Sequence, residues 1–364
     1  MNRDAFSARL AAIRPADAAA MDAARRRQAQ LAKPPGSLGK LEDISIQLAG
    51  ITGHIDNEIE KTRIYVLAAD NGVVAEGVSS APQSVTRQQA INLTRGVTGA
   101  SAIARRFGDE LVVVDVGIAE DYTCPQIVNH RIARGTKNIA KEPAMTVQQA
   151  LTALDTGMTL AAQAKRDGVQ ALGVGEMGIG NTTTSAAVLM ALTGCAVEDA
   201  VGRGGGVTDE AFARKRAVAA GALARLHPDA GDAVDVLAKV GGFDLAAMAG
   251  VFLGAAESRL PVVIDGFISV VAALCAVRLC PAARDFLFAS HGSFERGYAV
   301  AARALSLTPV LLLDMRLGEG SGCPLGFRVL EAACAAMNGM ATFEDARIDD
   351  GYLAPIRAKD CFTV

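Results

Sequence analysis

Tryptophan is absent from the 364-residue chain, and aromatic residues make up only 4% of it. With 51% of residues apolar, the interior has to be built from Ala, Val, Leu and Ile, a composition that suits helices packed on buried parallel strands. Long apolar runs are missing too. The greasiest stretch, Pro261 to Val277, is interrupted by Asp265 and Gly266 and falls short of the roughly 20 residues that span a bilayer. The first 31 residues mix Asp4, Asp17 and Asp22 with Arg25, Arg26 and Arg27, so they read as an amphipathic helix rather than a secretion signal. No block of like charge occurs and the net charge is −3, which argues against nucleic-acid or membrane partners and for a small-molecule one. The cysteines stand at 124, 195, 275, 280, 323, 334 and 361, an odd number without a Cys-x-x-Cys pair. Neither a disulfide framework nor a zinc ribbon is expected, and a reducing, cytoplasmic setting fits. His54, His130, His227 and His291 are scattered outside any metal spacing, so no metal is expected.

What is present is an alternation of short β-branched runs with Ala-rich helical stretches. Strands are expected at Arg63–Ala69, Leu111–Val116, Gln170–Val174, Pro261–Ile264, Asp285–Ala289 and Pro309–Leu313. Helices are expected at Val85–Arg106, Val147–Asp167, Thr182–Leu192, Asp209–Leu226 and Phe243–Ser258. This order predicts an α/β fold, a doubly wound parallel sheet between helical layers, over about residues 61–322. Residues 1–60 and about 323–364 carry helical pattern without strands and are expected to form a smaller helical domain from both chain ends. Lys33-Pro34-Pro35-Gly36-Ser37-Leu38-Gly39 has to be a loop.

In open parallel sheets the ligand crevice lies beyond the carboxyl ends of the strands. There the chain is polar and glycine-rich: Asp70-Asn71-Gly72, then Gly175 through Thr184, Ser290-His291-Gly292-Ser293, and Arg316 through Gly322. The segment 173–184 follows a strand and opens a helix, so free N–H groups and the positive helix end converge, as a phosphate requires. Gly173 through Gly178 also fits G-x-G-x-x-G, with Glu198 and Asp199 downstream, the pattern of an NAD-dependent oxidoreductase. The same glycines would serve a nucleotide-binding protein without catalytic function. Asn181 stands where a triphosphate-binding P-loop would need lysine, so a single phosphate is the better fit. A second glycine cluster, Gly202 through Gly206, precedes a helix for which Thr208 or Asp209 can serve as N-cap. Glu319, alone among glycines 318, 320 and 322, is the leading catalytic candidate, and Glu176 is a second, supporting carboxylate. Gly292 through Gly297 lacks the G-x-S-x-G pattern of a hydrolase elbow.

Taken in order, Lys33 through Glu42, Ala69 through Val73, Thr94 through Gly96, Val114 through Ile118, Gly175 through Thr183, Ser290 through Ser293 and Arg316 through Gly322 resemble the nicotinate-nucleotide:dimethylbenzimidazole phosphoribosyltransferase family. The resemblance implies a homodimer with a Rossmann-like sheet and a smaller helical domain, working without metal or redox cofactor on nicotinate mononucleotide and a benzimidazole base. It implies that Glu319 accepts the proton of the incoming base. Gly178, Ile179, Gly180, Asn181, Ser293 and Gly320 would hold the mononucleotide, joined by Gly204 and Lys215, while Gln89, Met177 and Leu317 would line the base. Asn71, Ala81 and Cys323-Pro324 depart from the residues expected at those positions and bear on which base is accepted.

Overall fold

The computed structural model describes residues 1–358, so Cys361 and the end of the expected terminal domain, 359–364, lie outside the described residues. The described part divides into two compact units, one made of Met1–Arg14 and Lys61–Gly326, the other of Pro15–Glu60 and the chain from Phe327. The first helix therefore clusters with the larger unit and not with the terminal one. It is tied there by Arg9, whose guanidinium meets Glu257 and Asp155.

The larger unit is built on a six-stranded, wholly parallel sheet in the order β3-β2-β1-β4-β5-β6. The strands are β1 (Thr62–Ala69), β2 (Glu110–Gly117), β3 (Val128–Asn129), β4 (Ala171–Met177), β5 (Val262–Ile264) and β6 (Leu287–Ala289). All eight residues of β1 are buried, which is why its sequence shows no polar alternation. The order reverses between β1 and β4, the topological switch point at which doubly wound sheets open a crevice. Behind the sheet, helices Val147–Arg166 and Phe243–Glu257 pack so closely that a Cβ on Gly250 or Gly254 would strike the backbone of Leu154 or Met158. Among the described residues no helix is long and apolar enough to cross a membrane.

Several local expectations are corrected. Pro309–Leu313 is not a strand of the sheet: Leu311 makes one parallel bridge to His291, and Leu312 and Leu313 face solvent. The segment meets the chain at the last residue of β6 and just beyond it, through Val310 and Leu311 amides donating to the Ala289 and Ser290 carbonyls. The two-residue β3, exposed and without an apolar run, gave no strand signal. The helix expected over 85–106 is two, Ser84–Thr94 and Gly99–Phe107, separated at Gly96 with φ +74° and restarted by a Thr98–Ser101 capping box. The amphipathic helix expected over 1–31 is likewise two, Arg3–Ala12 and Ala18–Gln30, the second capped by Asp17.

The smaller unit packs helices Ala18–Gln30 and Lys40–Thr52 with the helical chain beyond Phe327, around Ala24, Ala49 and Met337. Its Pro-Gly loop is held by Glu42, which accepts from Lys33 Nζ at 2.7 Å and from the Leu38 amide at 3.0 Å.

Candidate active site

A cavity of about 240 Å³ opens over the carboxyl ends of β4, β5 and β6. Its floor begins where β4 stops. Gly173 and Gly175 lie inside that strand, so the first two glycines of the dinucleotide pattern serve packing and not a phosphate loop. A Cβ at Gly173 would meet Cys323, and one at Gly175 would sit 2.6 Å from the Glu319 carbonyl carbon. The cavity-lining glycines start at Gly178, and Gly180, with φ +93°, turns the chain into helix Asn181–Thr193. Glu198 and Asp199, which a dehydrogenase would place on a ribose, belong to the short helix Val197–Ala200 and do not line the cavity.

Most of the residues singled out in the sequence do line it: Glu176, Met177, Gly178, Ile179, Gly180, Asn181, Gly204, Lys215, Ser293, Leu317 and Glu319. Ala81 is part of the wall as well, beside Ser80, whose hydroxyl donates to the Gly206 carbonyl at 2.6 Å and so links that loop to the second glycine cluster. Two of the expected residues stand elsewhere. Gly320 is behind the wall, its amide turned toward Asp265, and Gln89 reaches Glu319 from helix Ser84–Thr94 without lining the cavity itself.

Glu319 is nearly buried and takes φ +62°, a left-handed conformation that non-glycine residues seldom adopt. Its Oε1 accepts from Gln89 Nε2 at 2.7 Å, while Oε2 is buried without a hydrogen-bond partner. A carboxylate oxygen left in that state on a cavity wall is available to a ligand N–H. Leu317 is more than half exposed and rests over Gly99, offering an apolar surface beside it.

Glu176 is a different kind of carboxyl. Burial drives it up to about 8, with Asp244 and Asp265 adding like charge, so at neutral pH it is mainly the neutral acid. A neutral carboxyl in that position does not repel an anion brought to the loop. Its Oε2 accepts from Asn181 Nδ2, which also reaches Asp244 Oδ2 at 3.1 Å. The Asn181 side chain is thus committed to two buried carboxyls, and the Ile179 amide is held by Thr86 Oγ1 at 3.0 Å. Asn71, the departure at the end of β1, joins the same network by accepting from Thr184 Oγ1 at 3.2 Å.

The cationic feature is Lys215, 1% exposed, its Nζ donating to Thr182 Oγ1 at 2.8 Å. Burial lowers it to about 8, against the pull of Glu295. An ammonium desolvated beside the positive end of a helix is an incomplete anion site that a phosphate completes. Gly204 has to be small here, since a Cβ would stand 3.0 Å from Thr182 Oγ1 and 3.3 Å from Lys215 Nζ. His291 lies at the end of β6 with Nδ1 3.0 Å from Ser290 Oγ, and burial lowers its pKa. Among the described residues no three His, Cys, Asp or Glu side chains are grouped to hold a metal.

Sequence reasoning passed over Asp265 and Asp244 as site residues. Both are buried to within 1% of full burial and both are raised by it, to about 7 and about 6. Asp265 had a visible signal, since a carboxylate directly after the apolar run Val262–Ile264 marks a strand end. Asp244, in the first turn of a helix, looked like ordinary macrodipole compensation.

A family model described as phosphoribosyltransferase matches residues 13–348. A Clostridium perfringens protein named nicotinate-nucleotide–dimethylbenzimidazole phosphoribosyltransferase is 51% identical over 341 residues, 94% of this chain and 94% of that one. A protein of the same name from Acetivibrio thermocellus is 48% identical over 329 residues, covering 90% and 94%. The crystal structure of CobT from Thermus thermophilus superposes with a TM-score of 0.88 at 43% identity, covering 92% of this chain and 100% of that one.

Proposed function

This chain belongs to the nicotinate-nucleotide–dimethylbenzimidazole phosphoribosyltransferase family, and from that membership we propose that it moves the 5-phosphoribosyl group of nicotinate mononucleotide onto 5,6-dimethylbenzimidazole. The products are nicotinate and α-ribazole 5′-phosphate, the lower-ligand precursor of cobalamin. One ring nitrogen of the base attacks the anomeric carbon as the carbon–nitrogen bond to nicotinate breaks, and the configuration inverts. The proton on the other ring nitrogen goes to Glu319.

The observation that carries this reading is the buried, unpartnered Oε2 of Glu319 on a wall of the cavity that Lys215 and the start of helix Asn181–Thr193 also line. Lys215 and the glycines at 178, 180 and 204 take the phosphate. Leu317 and Met177 flank the base, and Gln89 fixes the free oxygen by holding its neighbour. No covalent nucleophile is needed, because orienting two bound reactants can by itself account for roughly 7–11 kcal/mol of the barrier.

The test mixes protein, nicotinate mononucleotide and dimethylbenzimidazole and follows nicotinate and α-ribazole phosphate by chromatography. Equal release of both is expected. Glu319→Gln is expected to keep donor binding and lower kcat about 10²–10⁴-fold; an unchanged kcat removes Glu319 from the chemistry. The family also supports a homodimer, consistent with apolar Phe294 and Leu312 standing exposed on the larger unit. A cytoplasmic location is supported by the described cysteines, all of which are free thiols.

A further inference from the structure

Asp265 follows β5 directly and turns its carboxylate away from solvent, with 1% of its surface exposed. Both of its oxygens are used on one short loop: Oδ2 accepts from the Gly320 amide at 3.0 Å and Oδ1 from the Gly322 amide at 2.7 Å. These two donors bracket the glycine turn immediately after Glu319. Asp265 is itself fixed at the main chain, its amide donating to Ser269 Oγ at 3.2 Å and its carbonyl accepting from Ser290 Oγ at 3.4 Å. A carboxyl whose two oxygens each accept from an amide of the same turn fixes that turn in a geometrically specific way that a single acceptor does not. The grip has something to oppose, because Glu319 at φ +62° and Gly320 at φ +82° hold the turn in the left-handed region. Released, the turn would relax and carry Oε2 of Glu319 away from the place it now occupies.

We propose that Asp265 is a positioning residue for the transfer, acting through Glu319 by clamping the Gly320 and Gly322 amides. The proposal rests on the function inferred above, and it adds a residue on the cavity wall that acts through Glu319 and does not itself take the proton. Asp265→Asn keeps the shape but leaves one acceptor oxygen, and it sets an amide N–H against a glycine N–H.

The experiment measures kcat, KM for nicotinate mononucleotide and donor affinity by calorimetry for wild type, Asp265→Asn, Glu319→Gln and the double variant. Displacement of a reacting group by about 1 Å costs on the order of 100-fold, so Asp265→Asn is expected to lower kcat about 10- to 100-fold with donor affinity within about twofold. In the Glu319→Gln background the same change is expected to cost little further rate, since the group it positions is already gone. Multiplicative losses in the double variant, or donor affinity falling as far as kcat, would overturn the proposal. Should Asp265→Asn not fold, Asp265→Glu keeps a carboxyl with both acceptors but pushes the turn outward by one methylene. Reduced kcat with intact donor binding then supports the clamp, and wild-type kcat refutes it. Wild-type protein that releases no nicotinate would sink the proposed function instead, so the two failures are distinguishable.

Discussion

Burial acts in opposite directions on the acids and on the lysine around this cavity, and it leaves Glu176, Asp265 and Asp244 raised to about 8, 7 and 6. Between about pH 4, where ordinary carboxyls release their protons, and those values the folded protein holds protons that the unfolded chain has lost. The unfolded state then binds fewer protons, so stability falls as pH rises through this window and levels off above about 8. Glu176→Gln removes the largest share of that penalty while keeping an oxygen for Asn181. Its melting temperature is expected to exceed that of wild type by several degrees at pH 8.5 and to approach it at pH 5. A difference independent of pH, read by thermal unfolding in matched buffers, would show that Glu176 is not held protonated by the fold. The residues around the site were legible in unequal measure. Glu319 stood out because glycine surrounds it, whereas the engagement of Asn181 by two buried carboxyls depends on partners 5 and 63 positions away and leaves no trace in local sequence.

At the scale of elements, the contact between β4 and the Glu319 turn is backbone on backbone. A Cβ on Gly175 would lie 2.5 Å from Gly320 Cα and 2.6 Å from the Glu319 carbonyl carbon, and neither can swing aside as a side chain would. Gly175→Ala is therefore expected to cost about 1–3 kcal/mol in stability through overpacking and to lower kcat more than donor affinity, measured by denaturant unfolding and steady-state kinetics. Retained kcat would mean that the turn can shift without consequence. This contact also explains why the glycine pattern at 173–178 misleads: the glycine requirement is real, but it comes from close packing inside a strand. Buried strands were readable because burial of both faces suppresses alternation, as in β1, and the largely exposed helix Asp209–Leu226 because it has the composition of a helix and a Thr208 cap. Pro309–Leu313 is as apolar as a buried strand, but it meets only the end of β6 and makes a single bridge there. Composition reports what a segment could do and topology decides whether a partner is there.

For the whole molecule, the strand order places the ends of β1 and β4 side by side, so Asn71 and the 178–180 turn are neighbours although 107 positions separate Asn71 from Gly178. The alternation of strands and helices was enough to predict this architecture. The assignment of the first helix was not, because it turns on Arg9 finding Glu257 and Asp155 in the larger unit. Self-association is testable at this scale. Light scattering of the purified chain is expected to give twice the 37.6 kDa monomer mass. Substituting Phe294 and Leu312 by Glu is expected to shift it toward monomer if their exposed faces form the contact; an unshifted dimer would place the interface elsewhere.

The left-handed backbone at Glu319 has a consequence for how such a protein can change over generations. A side chain in that conformation costs about 1–2 kcal/mol that glycine would not, so the position proposed as proton acceptor is also one where replacement by glycine relaxes the chain. A lineage screened for heat resistance alone would have a downhill step open to it at residue 319, and on the proposed mechanism the variants that took it would be sturdier and inert. Glutamate persists there only while turnover itself is selected.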